Sequence, residues 1–228
     1  MDSLIAVVRL VHIAAGFVAL VVAPVAMLTV KGGPTHRRWG KVYFWTMAVV
    51  ALTAVVLAAY RPVLFLALVA VFSFYAALSA YRVLFRKRPE AGQGPRALDW
   101  AAALITLTAS VALVVLGIAR PGETFQRLGT VAIVFGVFGL ALAGRDIVRF
   151  ARPPADRNAW WFSHMTGMLG SYIAVVSAFS VVNFTSLPTL VRWLWPTVVG
   201  TPLIVAWVVY YRMRFARRKT AAAAPAAV

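Results

Sequence analysis

Three histidines, His12, His36 and His164, are the side chains of this chain best suited to chemistry. Neutral imidazole is a common ligand of transition metals and haem iron, and all three lie in or beside long apolar stretches. Glycine follows each one helical turn later, at Gly16, Gly40 and Gly167. Arg9, His12, Gly16, Ala19 and Ala23 fall on one helical face, as do His164, Gly167, Ser171, Ala174 and Ala178, with Asn183 closing that stretch. Small-residue faces admit a close-packed helix or a flat ligand. Each pattern also has a plainer explanation. His12 can be satisfied by a neighbouring hydroxyl, the His164 face can serve packing alone, and His36 can meet lipid phosphates from a loop.

Depth limits the combinations. His12 lies 18 residues before Val30, about 27 Å along a helix at 1.5 Å per residue. His12 therefore belongs near one membrane face, whereas His36 and His164 belong near the other. A three-histidine hydrolytic zinc site needs all three together, which this arrangement denies unless the first helix folds back at Pro24. The pair His36 and His164 is the one set able to share a cofactor. Arg37, Arg38 and Arg145 lie at the same level, where they can meet carboxylates such as haem propionates.

The elements that position these residues are membrane spans. The chain is 62% hydrophobic over 228 residues, against about 45–50% for soluble domains. Its apolar runs are long enough to cross about 30 Å of hydrocarbon. The pattern predicts spans at Leu4–Val30, Val42–Tyr60, Val63–Tyr81, Ala101–Ala119, Leu128–Val148, Trp160–Asn183 and Val191–Tyr211. The expected fold is thus an all-α seven-helix bundle over residues 1–215, with a basic and then Ala-rich disordered tail over 216–228. The first apolar run is expected to be a retained helix, since it exceeds the 7–15 residues of a signal sequence. Repeated Leu-Thr-Ala and Arg-Pro elements suggest a lone first helix followed by hairpins two–three, four–five and six–seven.

Charge gives the orientation. One set of junctions carries Lys31, Arg37, Arg38 and Lys41, then Arg82, Arg86, Lys87, Arg88 and Arg96, then Arg145, Arg149, Arg152 and Arg157, and finally the basic tail. These account for 18 of the 23 Lys and Arg residues, leaving Arg9, Arg61, Arg120, Arg127 and Arg192 for the other side. The positive-inside rule then predicts the N-terminus outside and the C-terminus in the cytoplasm. Trp39, Trp100, Trp160 and Trp161 suit the inner interface, and Trp193 and Trp195 the outer one. The net charge of +17 is placed to meet anionic lipid headgroups rather than nucleic acid, because it forms no continuous stripe. Arg145–Asp146 and Asp99–Trp100 read as interfacial ion-pairing sites.

Several chemistries are excluded. Without cysteine there is no disulfide, thiolate nucleophile or C-x-x-C-H haem attachment. The chain has no G-x-S-x-G, no H-E-x-x-H and no phosphate-cradling glycine loop. No acidic residue falls in the middle of a span, which argues against a carboxylate proton relay.

The segments H-I-A-A-G-F-V-A-L, G-G-P-T-H-R-R-W-G-K-V-Y and H-M-T-G-M-L-G-S-Y-I-A-V-V-S-A-F-S-V-V-N together resemble a bacterial family of membrane proteins, domain of unknown function 2306. The resemblance covers about the whole helical chain and implies a bacterial cytoplasmic-membrane location, but no activity. More distantly, histidines at helix ends followed by small residues are similar to those of cytochrome b561 and ferric-reductase haem proteins. Those bind two haems through four histidines; with three, this chain has ligands for at most one bis-histidine haem b. Three function classes stay open: a one-haem electron-transfer protein, a small-molecule permease, and a membrane scaffold or assembly factor without chemistry.

Overall fold

Turn chemistry and hydrocarbon length between them determine where each helix stops. The structure, a computed structural model, describes residues 2–61 and 63–223, with side chains as far as Arg217. The elements are α1 (Asp2–Leu28), α2 (Pro34–Tyr60), α3 (Leu64–Arg82), α4 (Ala97–Ala119), α5 (Gly122–Ala151), α6 (Ala159–Asn183) and α7 (Thr189–Ala223). Two short 3-10 turns, Val83–Phe85 and Pro89–Ala91, join α3 to α4. The described residues fold as an all-α chain, and all seven α-helices are long and apolar enough to cross a membrane.

The starts and stops follow local chemistry. Gly33 is the N-cap of α2 and Pro34 its first residue, a position where the missing N–H costs nothing. The helix therefore begins eight residues before the apolar run at Val42, and His36 sits in its first turn rather than in the preceding loop. The backbone N–H of Arg96 donates to Asp99 at 2.8 Å to start α4, satisfying a group left open at a helix N-terminus. Arg120 and Gly122 both take left-handed backbone angles, φ 50° and 66°, which turns the chain sharply between α4 and α5. The last helix runs well past Tyr211 to Ala223; residues 224–228 of the expected disordered tail lie outside the described residues.

Two of the expected hairpins, α4–α5 and α6–α7, are present, but α1 pairs with α2, so the helix without a hairpin partner is α3 and not α1. The most extensive contacts are α4 with α5 and α1 with α2, followed by α6 with α7. The unpaired helix is α3, which touches α2, α4, α5 and α6 from the middle of the bundle. Its composition explains why. Ala76, Ala77 and Ala80 are almost fully buried, and such small residues let neighbours approach α3 closely on several sides. A Cβ built on Gly167 of α6 would lie 2.7 Å from Ala80 Cβ and 3.0 Å from the Ala76 carbonyl. Between α4 and α5, Gly117 and Gly129 face each other, each Cβ position 2.7 Å from the other's carbonyl oxygen.

Polar anchors hold α3 in place near its C-terminal end. Arg82 makes a two-pronged contact with Asp99 of α4 at 3.0 and 2.8 Å, and Arg86 Nη1 lies 3.5 Å from the same carboxylate. Tyr75 donates to Asp146 of α5 at 3.0 Å, and Ser79 donates to the same oxygen. Both aspartates are 4% exposed. The ion pairing read from the sequence is present at both, Asp99 with Arg82 and Arg86 and Asp146 with Arg145 at 3.4 Å, and both aspartates are buried between helices. Trp193 also departs from expectation. It is buried against Phe65 and Phe135 because α7 packs against α5 at that end.

Two substitutions test this packing. Gly167→Leu forces α3 and α6 apart and should destabilise the protein by about 1–3 kcal/mol, as overpacking does, seen as a lower unfolding midpoint in detergent titration. Asp99→Asn leaves two largely buried guanidinium groups facing a neutral amide and should cost about 3–5 kcal/mol in the same assay. A midpoint unchanged by either substitution contradicts the corresponding contact.

Candidate functional site

Of the three histidines, the fold brings together His36 and His164. Their ring centroids are 6.3 Å apart with the planes nearly perpendicular, at 80°. α2 supplies His36 from its first turn and α6 supplies His164 from its second, so both enter one space from helices.

Helix ends fix the rings. His36 Nδ1 lies 2.9 Å from the carbonyl oxygen of Ala26, in the last turn of α1, where carbonyls lack an intrahelical partner. His164 Nδ1 lies 2.8 Å from the carbonyl oxygen of Ala80, in the last turn of α3. A carbonyl only accepts, so each Nδ1 carries the proton and donates it. In the neutral ring the lone pair is then on Nε2, which has no hydrogen-bond partner on either histidine among the described residues. Backbone carbonyls holding Nδ1–H while Nε2 stays open is the outer-shell pattern of metal-ligating histidine.

The pair borders a cavity of about 450 Å³, within the roughly 300–1,000 Å³ range of small-molecule and cofactor sites. Ala23, Ala26 and Met27 of α1, Tyr43 of α2, Tyr81 of α3, Phe85 just after α3, and Met165 and Met168 of α6 make its wall largely apolar. Trp160, Trp161 and Trp207 add flat surfaces. Four cations, Lys31, Arg37, Lys41 and Lys87, also line it. Lys31 donates to the Met27 carbonyl and lies 5.9 Å from the Trp207 ring centre. Burial pulls the Lys31 ammonium below its ordinary value, since removing water disfavours an unpaired charge.

The fit to a bis-histidine metal group can be judged from these distances. Two imidazoles sharing one ion through metal–nitrogen bonds of about 2.0–2.1 Å place their ring centres roughly 6.4 Å apart when the bonds are collinear. The observed separation is 6.3 Å. Among the described residues no three His, Asp or Glu side chains gather to hold a metal ion, so the donor set is two nitrogens. A metal group held by two nitrogens alone would have to bring its remaining ligands with it.

The other residues singled out in the sequence have different places. His12 is bonded to Thr53 of α2, Nδ1 to Oγ1 at 2.9 Å, toward the opposite end of the bundle. A Cβ on Gly16 would meet nothing within 4 Å, and neither would one on Gly40; Gly40 borders the cavity and Gly16 does not. Gly167 is occupied by α3 and leaves no room for a ring. Ser171 donates to the Met168 carbonyl at 2.8 Å and accepts from Tyr43 at 2.8 Å, joining α2 to α6. Asn183 donates to the Phe179 carbonyl at 2.8 Å, closing α6. Arg37 borders the cavity, whereas Arg38 and Arg145 do not. Lys31, Lys41 and Lys87 were missed as site residues; Lys31 in K-G-G-P was the legible signal, lying in the turn that also delivers His36.

No family model matches the chain, and neither a curated protein nor a solved structure matches it.

Proposed function

We propose that the protein is a one-haem membrane electron-transfer protein, with haem b held between His36 and His164. The observation that carries this reading is the geometry of the pair, a 6.3 Å ring separation with both Nδ1 atoms given to backbone carbonyls. When bound, haem supplies a one-electron iron couple. The protein's part is orientation, exclusion of water and charge balance. Ala26 and Ala80 fix the imidazole tautomers and the directions of the rings. Met165, Met168, Tyr43 and the tryptophans keep water from the ring faces, which tunes the potential through the local dielectric. Arg37, Lys31, Lys41 and Lys87 stand where carboxylates of the group would need partners.

The permease reading is less well supported. It predicts a cavity at mid-depth and a broken helix, yet the histidine cavity opens at the basic end, and α7 continues through Pro196 and Pro202. The scaffold reading gives no account of two imidazoles with open Nε2 atoms in one cavity. The reading includes the bacterial cytoplasmic membrane as location, the N-terminus outside, and anionic lipid headgroups as partners of the basic end. On that orientation the histidine cavity faces the cytoplasm.

Reduced-minus-oxidised difference spectra of protein from haem-supplemented cells decide the central claim. The wild type should show the bands of a six-coordinate b-type haem, and both His36→Ala and His164→Ala should lose the six-coordinate signature. A colourless wild type sinks the reading, as does a spectrum indifferent to both substitutions. The orientation is tested with alkaline phosphatase fused after Val228: an inactive fusion is expected, and periplasmic activity would reverse the topology.

A further inference from the structure

We propose that a second cavity at the basic end, beside the histidine cavity, binds a multivalent oxyanion: the phosphate of a soluble compound or of a lipid headgroup. This cavity measures about 390 Å³ and is bordered by the α3–α4 connection, the end of α5 and the α5–α6 connection. It needs no haem and stands apart from that reading, although Lys87 and Trp160 border both cavities.

The balance of free charge carries the argument. Five cations border the space, Arg86, Lys87, Arg88, Arg149 and Arg157, against three acids, Glu90, Asp146 and Asp156. Two of the acids are engaged within the protein. Asp146 accepts from Tyr75 and Ser79, and Asp156 accepts from the Asn158 backbone at 2.9 Å. The cations are much less satisfied. The Arg86 side chain is only 9% exposed and its Nη1 has no hydrogen bond. Its nearest acid, Asp99, is 3.5 Å away and already holds Arg82 in a two-pronged contact.

Arg86 stands over Phe150 at 4.6 Å, which fixes the plane of its guanidinium. Arg149 donates to Ser163. Desolvation lowers Arg86 from its ordinary value, so an added anion would relieve a charge separated from water. Lys87 lies 4.4 Å over the Trp160 ring. Planar guanidinium forks match oxyanions bidentately, and several facing one space favour an anion with more than one charge over a single carboxylate.

The test is calorimetric titration of inorganic pyrophosphate into the full-length protein in phosphatidylcholine nanodiscs at fixed ionic strength. Saturable binding is expected, weakened at least tenfold by Arg149→Gln and by Arg88→Gln, and unchanged by Lys41→Gln, which alters only the histidine cavity. Arg88 is exposed, so its variant keeps the test valid if Arg149→Gln fails to fold. Repeating the titration in phosphatidylglycerol nanodiscs separates the sources: loss of binding there assigns the site to a lipid headgroup, and retention assigns it to a soluble phosphate compound. Absence of saturable binding in phosphatidylcholine overturns the proposal, as does binding that ignores both arginine substitutions or that falls equally with Lys41→Gln. Because absorbance plays no part in this measurement, a colourless protein leaves its outcome unaffected.

Discussion

The close approach of α6 to α3 is the contact on which the site depends. Gly167 lies against Ala76 and Ala80 with no space for even a methyl group. One turn earlier on α6, His164 reaches the Ala80 carbonyl at 2.8 Å. The two facts are one constraint, since a side chain at 167 would move α6 outward and carry the imidazole beyond hydrogen-bond reach. In hydrocarbon such an approach brings no hydrophobic gain, because lipid tails are as apolar as the helices. Dispersion and polar anchors must hold it, and the anchors are the aspartates of α4 and α5 that grip α3 through Arg82, Tyr75 and Ser79.

Those anchors also shape the electrostatics of the basic end. A chain with six acidic residues and 23 basic ones cannot neutralise its cations internally. Asp99 and Asp146 are buried and serve α3 and α5, so they draw in Arg82, Arg86 and Arg145 and leave the peripheral lysines and arginines without an acidic partner among the described residues. Both cavities at this end combine an aromatic or apolar wall with cations, and the wall between them is the Lys87–Trp160 contact.

Much of this was legible in the sequence, and the misses have identifiable causes. Apolar length fixed the seven helices, and the 18-residue offset of His12 from Val30 separated it from the other two histidines. The pairing of His36 with His164 followed from depth alone. What failed was reading the helix start from hydropathy: Pro34 at the first helical position starts α2 within polar sequence, placing His36 on a helix. The glycines were read alike because spacing cannot distinguish an open face from an occupied one. Gly40 borders a cavity and Gly167 is filled by Ala80, a difference decided by a helix remote in sequence. The same remoteness hid α3 as the central element, since only the assembled neighbours give Ala76, Ala77 and Ala80 their meaning. Asp146 looked interfacial beside Arg145 because its partners, Tyr75 and Ser79, lie about 70 positions earlier.

On the haem reading, the asymmetry of the histidines would confine the group to one end of the bundle. A protein that carries electrons across the membrane through haem needs a second centre near the other face, because the thickness is about 30 Å. The residue that would begin such a centre, His12, is bonded instead to Thr53, whose hydroxyl is already turned to the Val49 and Val50 carbonyls of its own helix. The imidazole thus closes a helix–helix contact between α1 and α2, the second most extensive in the bundle. On the haem reading, electrons enter and leave at one face, by way of the Trp160 and Trp161 side of the cavity or its basic mouth. A one-sided carrier exchanges with partners that reach the same membrane face, and the cations at that mouth favour partners presenting negative charge.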